Sequence, residues 1–169
     1  MTNPDQEHAQ YSAVQVANKF IELGRKDGIT DLSNMKLQKL VFYAHSIMLG
    51  DNGRPLIGEK FHAWKYGPVV YELYAALLSF CGKQNWDRKH CFSEDLPDDA
   101  PPITDQEALK AISDAWEVCG RSSPSKLVQM THLPETPWST VYESSGNDAI
   151  ISNAQIRDYM RNPPKRQVV

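Results

Sequence analysis

The chain has 169 residues, 41% of them apolar and 23% charged, with a formal net charge of −3. These values suit one globular domain that buries about 70% of its unfolded surface, and no apolar run approaches the roughly 20 residues that span a bilayer. The slight acidic excess argues against a nucleic acid as partner, because phosphate binding draws on a basic surplus.

The first ten residues, MTNPDQEHAQ, lack the basic start and apolar stretch of a secretion signal. They are expected to be flexible, and the chain is expected in the cytoplasm. A first helix is expected over residues 11–26, with Ala13, Val14, Ala17, Phe20, Ile21 and Gly24 on one stripe and Gly28 as its stop. A second opens at Ser33 or Asn34, keeps Leu37, Leu40, Val41, Ala44, Ile47 and Met48 in helical period, and closes at Gly50. The period then breaks. Leu56-Ile57 and residues 61–64 read as a two-stranded ribbon around Gly58-Glu59. Gly67-Pro68 reads as the start of a third helix, because proline's preset φ and missing amide suit a first turn. That helix would carry Val70, Leu73, Tyr74, Leu77, Leu78 and Cys81 on one side.

Residues 82–103 are irregular and include an acidic, proline-broken surface loop at 95–102. Thr104 and Glu107 form the sequence of a capping box for a fourth helix, whose buried face is Ala108, Leu109, Ile112, Ala115, Trp116 and Cys119. A fifth helix starts at Ser123-Pro124. Thr136 caps a short turn begun by Pro137, with Trp138 packed inward. A last helix opens at Ser152, has Gln155 as reciprocal cap, and ends before Pro163-Pro164, leaving 163–169 as a loose tail. The expected fold is mainly α: a compact bundle of about six helices over residues 11–162, with a small two-stranded β-ribbon between the second and third.

No GxSxG, HExxH, CxxC or glycine-rich phosphate loop occurs. Cys81, Cys91 and Cys119 are too few and too irregular for a disulfide framework. Cys81 and Cys119 end apolar stripes and read as core residues. With His90 the cysteines make a poorly spaced zinc set, so neither metal nor other cofactor is expected. His132 ends the fifth helix, where an imidazolium meets the last carbonyls and the negative end of the dipole. Neither His132 nor His62 has an evident nucleophile, so no enzyme is expected. Lys36 and Lys39 lie three apart and share a face that Tyr43 continues, with Lys65 nearby. Two readings stay open: a solvated helix face, or a docking patch for an acidic partner or nucleic acid.

The order of these pieces carries more than any one of them. KLQKL with Tyr43 (Lys36, Leu37, Lys39, Leu40), then AWKYGPVV (Trp64, Gly67, Pro68, Val69) with Tyr74, then Thr131-His132 with Pro137-Trp138, together resemble the Panacea domain family of SocA-like antitoxins and phage-associated GepA-like proteins. The resemblance covers about residues 12–142. It implies a mainly helical fold with a small β element, and an antitoxin that neutralises a protein toxin encoded by the adjacent gene through direct binding. DNA-binding autoregulation, and delivery of the toxin to a protease, are the alternatives it leaves; a homodimer also stays open. It implies no catalytic residues, and the motif residues themselves are scaffold or interface.

Overall fold

The computed structural model describes residues 9–81 and 90–165. The expectations for residues 1–8 and 166–169, and part of the irregular stretch at 82–89, lie outside the described residues. In chain order the elements are α1 (Ala13–Asp27), α2 (Asn34–Asn52), β1 (Phe61–Trp64), β2 (Gly67–Val70), α3 (Tyr71–Cys81), α4 (Gln106–Cys119), α5 (Pro124–Thr131), α6 (Pro137–Ser145), β3 (Ala149–Ile151) and α7 (Asn153–Arg161). The fold is mainly α, as the helical periods implied. Among the described residues no helix is long and apolar enough to cross a membrane.

α2 is the centre, with α1, α3, α4, α5, α7 and β2 all packed on it. Seven consecutive residues, 36–42, are buried, so this helix has no solvent face over its N-terminal half. The expected solvated or docking face of Lys36 and Lys39 therefore does not exist. Both lysines are sealed inside, at 0% and 1% exposure. A buried ammonium needs acceptors, and the fold supplies them. Lys36 Nζ donates to Asp31 Oδ1 at 2.6 Å and to the Gly120 carbonyl at 2.7 Å. The second contact sets a positive charge on the carbonyl end of α4.

His45, also fully buried, pins the segment after α2. Its Nδ1 accepts the backbone N–H groups of Leu56 and Ile57, each at 3.3 Å. That fixes the neutral tautomer with the proton on Nε2, which donates to Asn153 Oδ1 at 2.8 Å. One imidazole thus joins α2, the 56–57 segment and the start of α7.

The sheet differs from the expected ribbon. Leu56-Ile57 is not a strand partner of β1. β1 pairs antiparallel with β2 (Phe61 with Val70, Trp64 with Gly67) and, on its other side, with β3 (Phe61 with Ile151), giving the order β2-β1-β3. Pro68 lies within β2 rather than at a helix start. Proline is excluded from a strand only where the ladder needs its amide, and here it does not. α3 accordingly begins at Tyr71.

Several helix ends are as expected. Ser33 caps α2, Ser123 caps α5, and Ser152 with Gln155 forms a reciprocal box on α7. Thr136 caps α6, which runs nine residues and buries Trp138. Others differ. α2 continues through Gly50 to Asn52, with Gly53 as its left-handed cap. Gly50 is instead a close-packing site, where a Cβ would stand 2.8 Å from Met160 Cβ of α7. α4 is capped by Asp105, whose carboxylate accepts the Glu107 amide. Glu107 does not close the expected box with Thr104, because its side chain turns to Arg54 at 3.0 Å. The acidic stretch is strapped to α1. Asn18 makes paired bonds with the Leu96 backbone at 2.7 and 3.0 Å, and Arg25 reaches Asp95 at 2.8 Å.

Replacing His45 by leucine leaves the Leu56 and Ile57 amides buried without that acceptor. The variant should lose roughly 3 kcal/mol of unfolding free energy in urea titration; a loss below about 1 kcal/mol would show that the imidazole does not hold this segment.

Candidate functional site

The three sequence motifs meet around the β1–β2 hairpin. Lys65-Tyr66 forms its two-residue loop, so residues 68 and 70 direct their backbone groups away from β1. An open edge of this kind invites another strand, and α2 closes it with side chains. Val70 N–H donates to Gln38 Oε1 at 2.9 Å, and Gln38 Nε2 donates to Val70 O at 3.3 Å. The carboxamide stands where a neighbouring strand would. One step along, Lys39 Nζ donates to Pro68 O at 3.0 Å. Pro68 has no amide to satisfy, so the outer edge of β2 is complete.

Gly67 is required by this arrangement on two counts. Its φ is +112°, which other residues rarely adopt. A Cβ there would also lie 2.7 Å from Lys39 Cε and 2.8 Å from Thr131 Oγ1. Thr131 Oγ1 itself donates to Val128 O at 2.8 Å, and Thr136 Oγ1 donates to Thr131 O at 2.7 Å. The Thr131–Pro137 turn is therefore knit together directly under the hairpin.

Trp138 fastens α6 to β1, its Nε1 donating to Trp64 O at 2.7 Å. Its ring stacks on His132, with centroids 3.8 Å apart, and on Tyr142 at 4.7 Å. His132 does not serve as an imidazolium on the helix carbonyls. Its backbone N–H caps α5, while burial, and then the charge of Lys39, hold the imidazole below its usual pKa. Among the described residues its Nε2 is buried without a hydrogen-bond partner. Burial likewise pushes the Lys39 amine down to about 7. Trp64 is half-buried, with Tyr74 edge-on at 5.1 Å and Nε1 donating to Asp148 Oδ1 at 2.9 Å.

On the outer side of this assembly lies a groove of about 480 Å³ between α2, the hairpin and α3. Met35, Trp64, Val69, Tyr74, Leu78 and Phe92 give it apolar walls; Lys39 lies in its floor, and Lys65 and Tyr66 stand at its rim. Of the motif residues, Lys39, Trp64, Val69 and Tyr74 line it. Leu37 and Leu40 are core. Lys36 sits at the α4 end of α2, and Tyr43 borders a separate cavity of about 40 Å³ with Tyr159 and Met160. Burial, helped by the nearby Cys119 and Tyr159, raises the Tyr43 phenol. Met35 and Phe92 carried no functional reading in the sequence; Gln38 and Tyr66 appeared only inside the family motifs, Leu78 only on an apolar helix stripe and His90 only in the zinc set; the closest signal was the polar pair Gln38-Lys39 within an otherwise apolar period. The four groups of the imagined zinc set are not gathered: among the described residues no cluster of three or more His, Cys, Asp or Glu is placed to hold a metal ion. Cys119 is buried, Cys81 half-buried and Cys91 exposed.

Residues 37–139, more than half of the chain, match the sequence model of the family described as Antitoxin SocA-like, Panacea domain. The chain belongs to this family. The matched span opens inside α2 and closes just past Trp138, so it encloses the hairpin and the elements that clamp it. The chain is also 34% identical over 119 residues to Antitoxin SocA of Caulobacter vibrioides (strain NA1000 / CB15N), an alignment covering 69% of this chain and 63% of that protein. The chain thus matches a little under two thirds of the length of that relative. No solved structure matches.

Two outcomes test the Panacea hairpin clamp. Gly67→Ala should cost roughly 3 kcal/mol, from the disfavoured φ and the displacement of Lys39 and Thr131; near-native stability in denaturant would refute the close approach. For Lys39, a base whose folded pKa is lowered leaves the unfolded chain holding more protons between pH 7 and 10.5, so stability rises with pH in that window. From pH 7 to 8.5, below the range where Cys119 interferes, the native chain should gain about 1.5 kcal/mol relative to Lys39→Met. Parallel stability profiles for the two would contradict a buried, depressed amine.

Proposed function

We propose that this chain is the antitoxin of a toxin–antitoxin pair, neutralising a protein toxin encoded by the adjacent gene through direct binding. Membership of the Panacea family, with 34% identity to Antitoxin SocA, carries the reading. Neutralisation is steric: the bound chain covers the toxin's active site or its substrate groove. A stable complex of this kind buries about 1,200–2,000 Å² in total, and exposed aromatic side chains are its natural anchors. A non-enzymatic role accords with the surroundings of the perturbed groups. Lys39 and Cys119 are buried, and the His132 ring is held against Trp138. DNA binding loses the support the sequence offered it, because the basic face of α2 is inside the fold.

The test is paired expression. Induction of the neighbouring gene alone should arrest growth, and co-induction of this chain should restore it. Absence of toxicity, or toxicity that this chain does not relieve, would reject the proposal.

A further inference from the structure

We propose that the groove between α2, the hairpin and α3 is the toxin-docking site, and that it receives a segment presenting an aliphatic or aromatic side chain beside a carboxylate. The inference rests on the antitoxin reading above. Three features of the groove define the occupant.

The first is its wall. Trp64, Tyr74 and Leu78, each partly exposed, and the buried Phe92 give it an apolar lining. A volume of about 480 Å³ suits one or two inserted side chains, at the lower end of the roughly 300–1,000 Å³ of binding clefts. Tyr66, half exposed at the rim, is the kind of residue that anchors interfaces.

The second is charge. The chain as a whole carries −3, yet among the described residues no Asp or Glu lines the groove, whereas Lys39, Lys65 and His90 do. Lys65 lies 5.5 Å over the Tyr66 ring and has no carboxylate partner among the described residues. An acidic group entering beside Tyr66 would meet an unpaired cation on an otherwise apolar face. Of the two lysines that line it among the described residues, Lys39 is buried and Lys65 stands exposed. A phosphate backbone calls for several surface cations, so a single carboxylate next to an apolar anchor fits better than nucleic acid.

The third is the closed edge of β2. Gln38 and Lys39 already occupy the outward groups of Val70 and Pro68. A partner cannot add as a strand there, so recognition falls to side chains in the groove.

The experiment is calorimetric titration of the full chain with the purified product of the adjacent gene. Lys65→Glu and Leu78→Glu should each weaken the Kd at least tenfold, Lys65→Arg should stay within about twofold, and Val118→Glu, on the exposed flank of α4, should bind as the native chain does. Lys65 is exposed, so Lys65→Glu should keep the native melting temperature and remain decisive even if Leu78→Glu destabilises. A photo-crosslinker at position 66 should then capture a toxin peptide with an acidic residue next to an apolar one. Native-like affinity in both Lys65→Glu and Leu78→Glu would overturn the groove and leave the antitoxin reading standing. No binding by the native chain would overturn both. A crosslinked peptide without that pairing would overturn the stated chemistry. Salt-sensitive binding of the promoter duplex that is lost in Lys65→Glu would assign the groove to phosphate instead.

Discussion

The structure depends on how α2 finishes the edge of a small sheet. A helix buried on nearly every side should be apolar, yet α2 carries Lys36, Gln38, Lys39 and His45 in its interior. Each is matched to backbone groups that no regular ladder can reach. Gln38 substitutes for a strand beside Val70, Lys39 takes the carbonyl of Pro68, Lys36 takes that of Gly120, and His45 accepts two amides of the following segment. Deleting one partner of such a set leaves the other buried and unsatisfied, which costs more than the bond itself contributes. Side chains from one helix therefore fix the hairpin, the end of α4 and the approach to β1.

This arrangement brings the sequence motifs into contact with one another. Gly67 must lack a side chain because Lys39 and Thr131 pass against it. Trp138 must reach the Trp64 carbonyl because α6 holds the far side of β1. Leu37 and Leu40 fill the core behind the clamp. Most of the motif residues are thus buried. Tyr66 and Lys65 are exposed at the tip of the hairpin, beside the groove, where a substitution should disturb packing little.

The sequence made the helical frame legible, because 3.6-residue periodicity and side-chain caps are local signals. Ser33, Ser123, Thr136 and Ser152 could be assigned from themselves and their next few residues. The hairpin was not legible. Gly-Pro has two physical meanings, a helix first turn or an edge strand, and only the pairing with β1 decides between them. β3 is three residues long and draws its stability from β1, across a long sequence separation. The lysines misled for a related reason. A cation is read as exposed unless acceptors are known, and the carbonyls of Gly120 and Pro68 are remote in sequence. The groove was invisible in outline, since its walls come from α2, β1, α3 and the segment at Phe92.

Hydrogen exchange at the Val70 amide tests the strand-substitute role of Gln38 most directly. In the native chain this amide should exchange as slowly as those of α2. In Gln38→Leu its protection should fall by about tenfold or more, while the amides of α1 keep theirs. A Val70 amide that exchanges in the native chain at the rate of an exposed loop, or that is unaffected by loss of the carboxamide, would contradict the account.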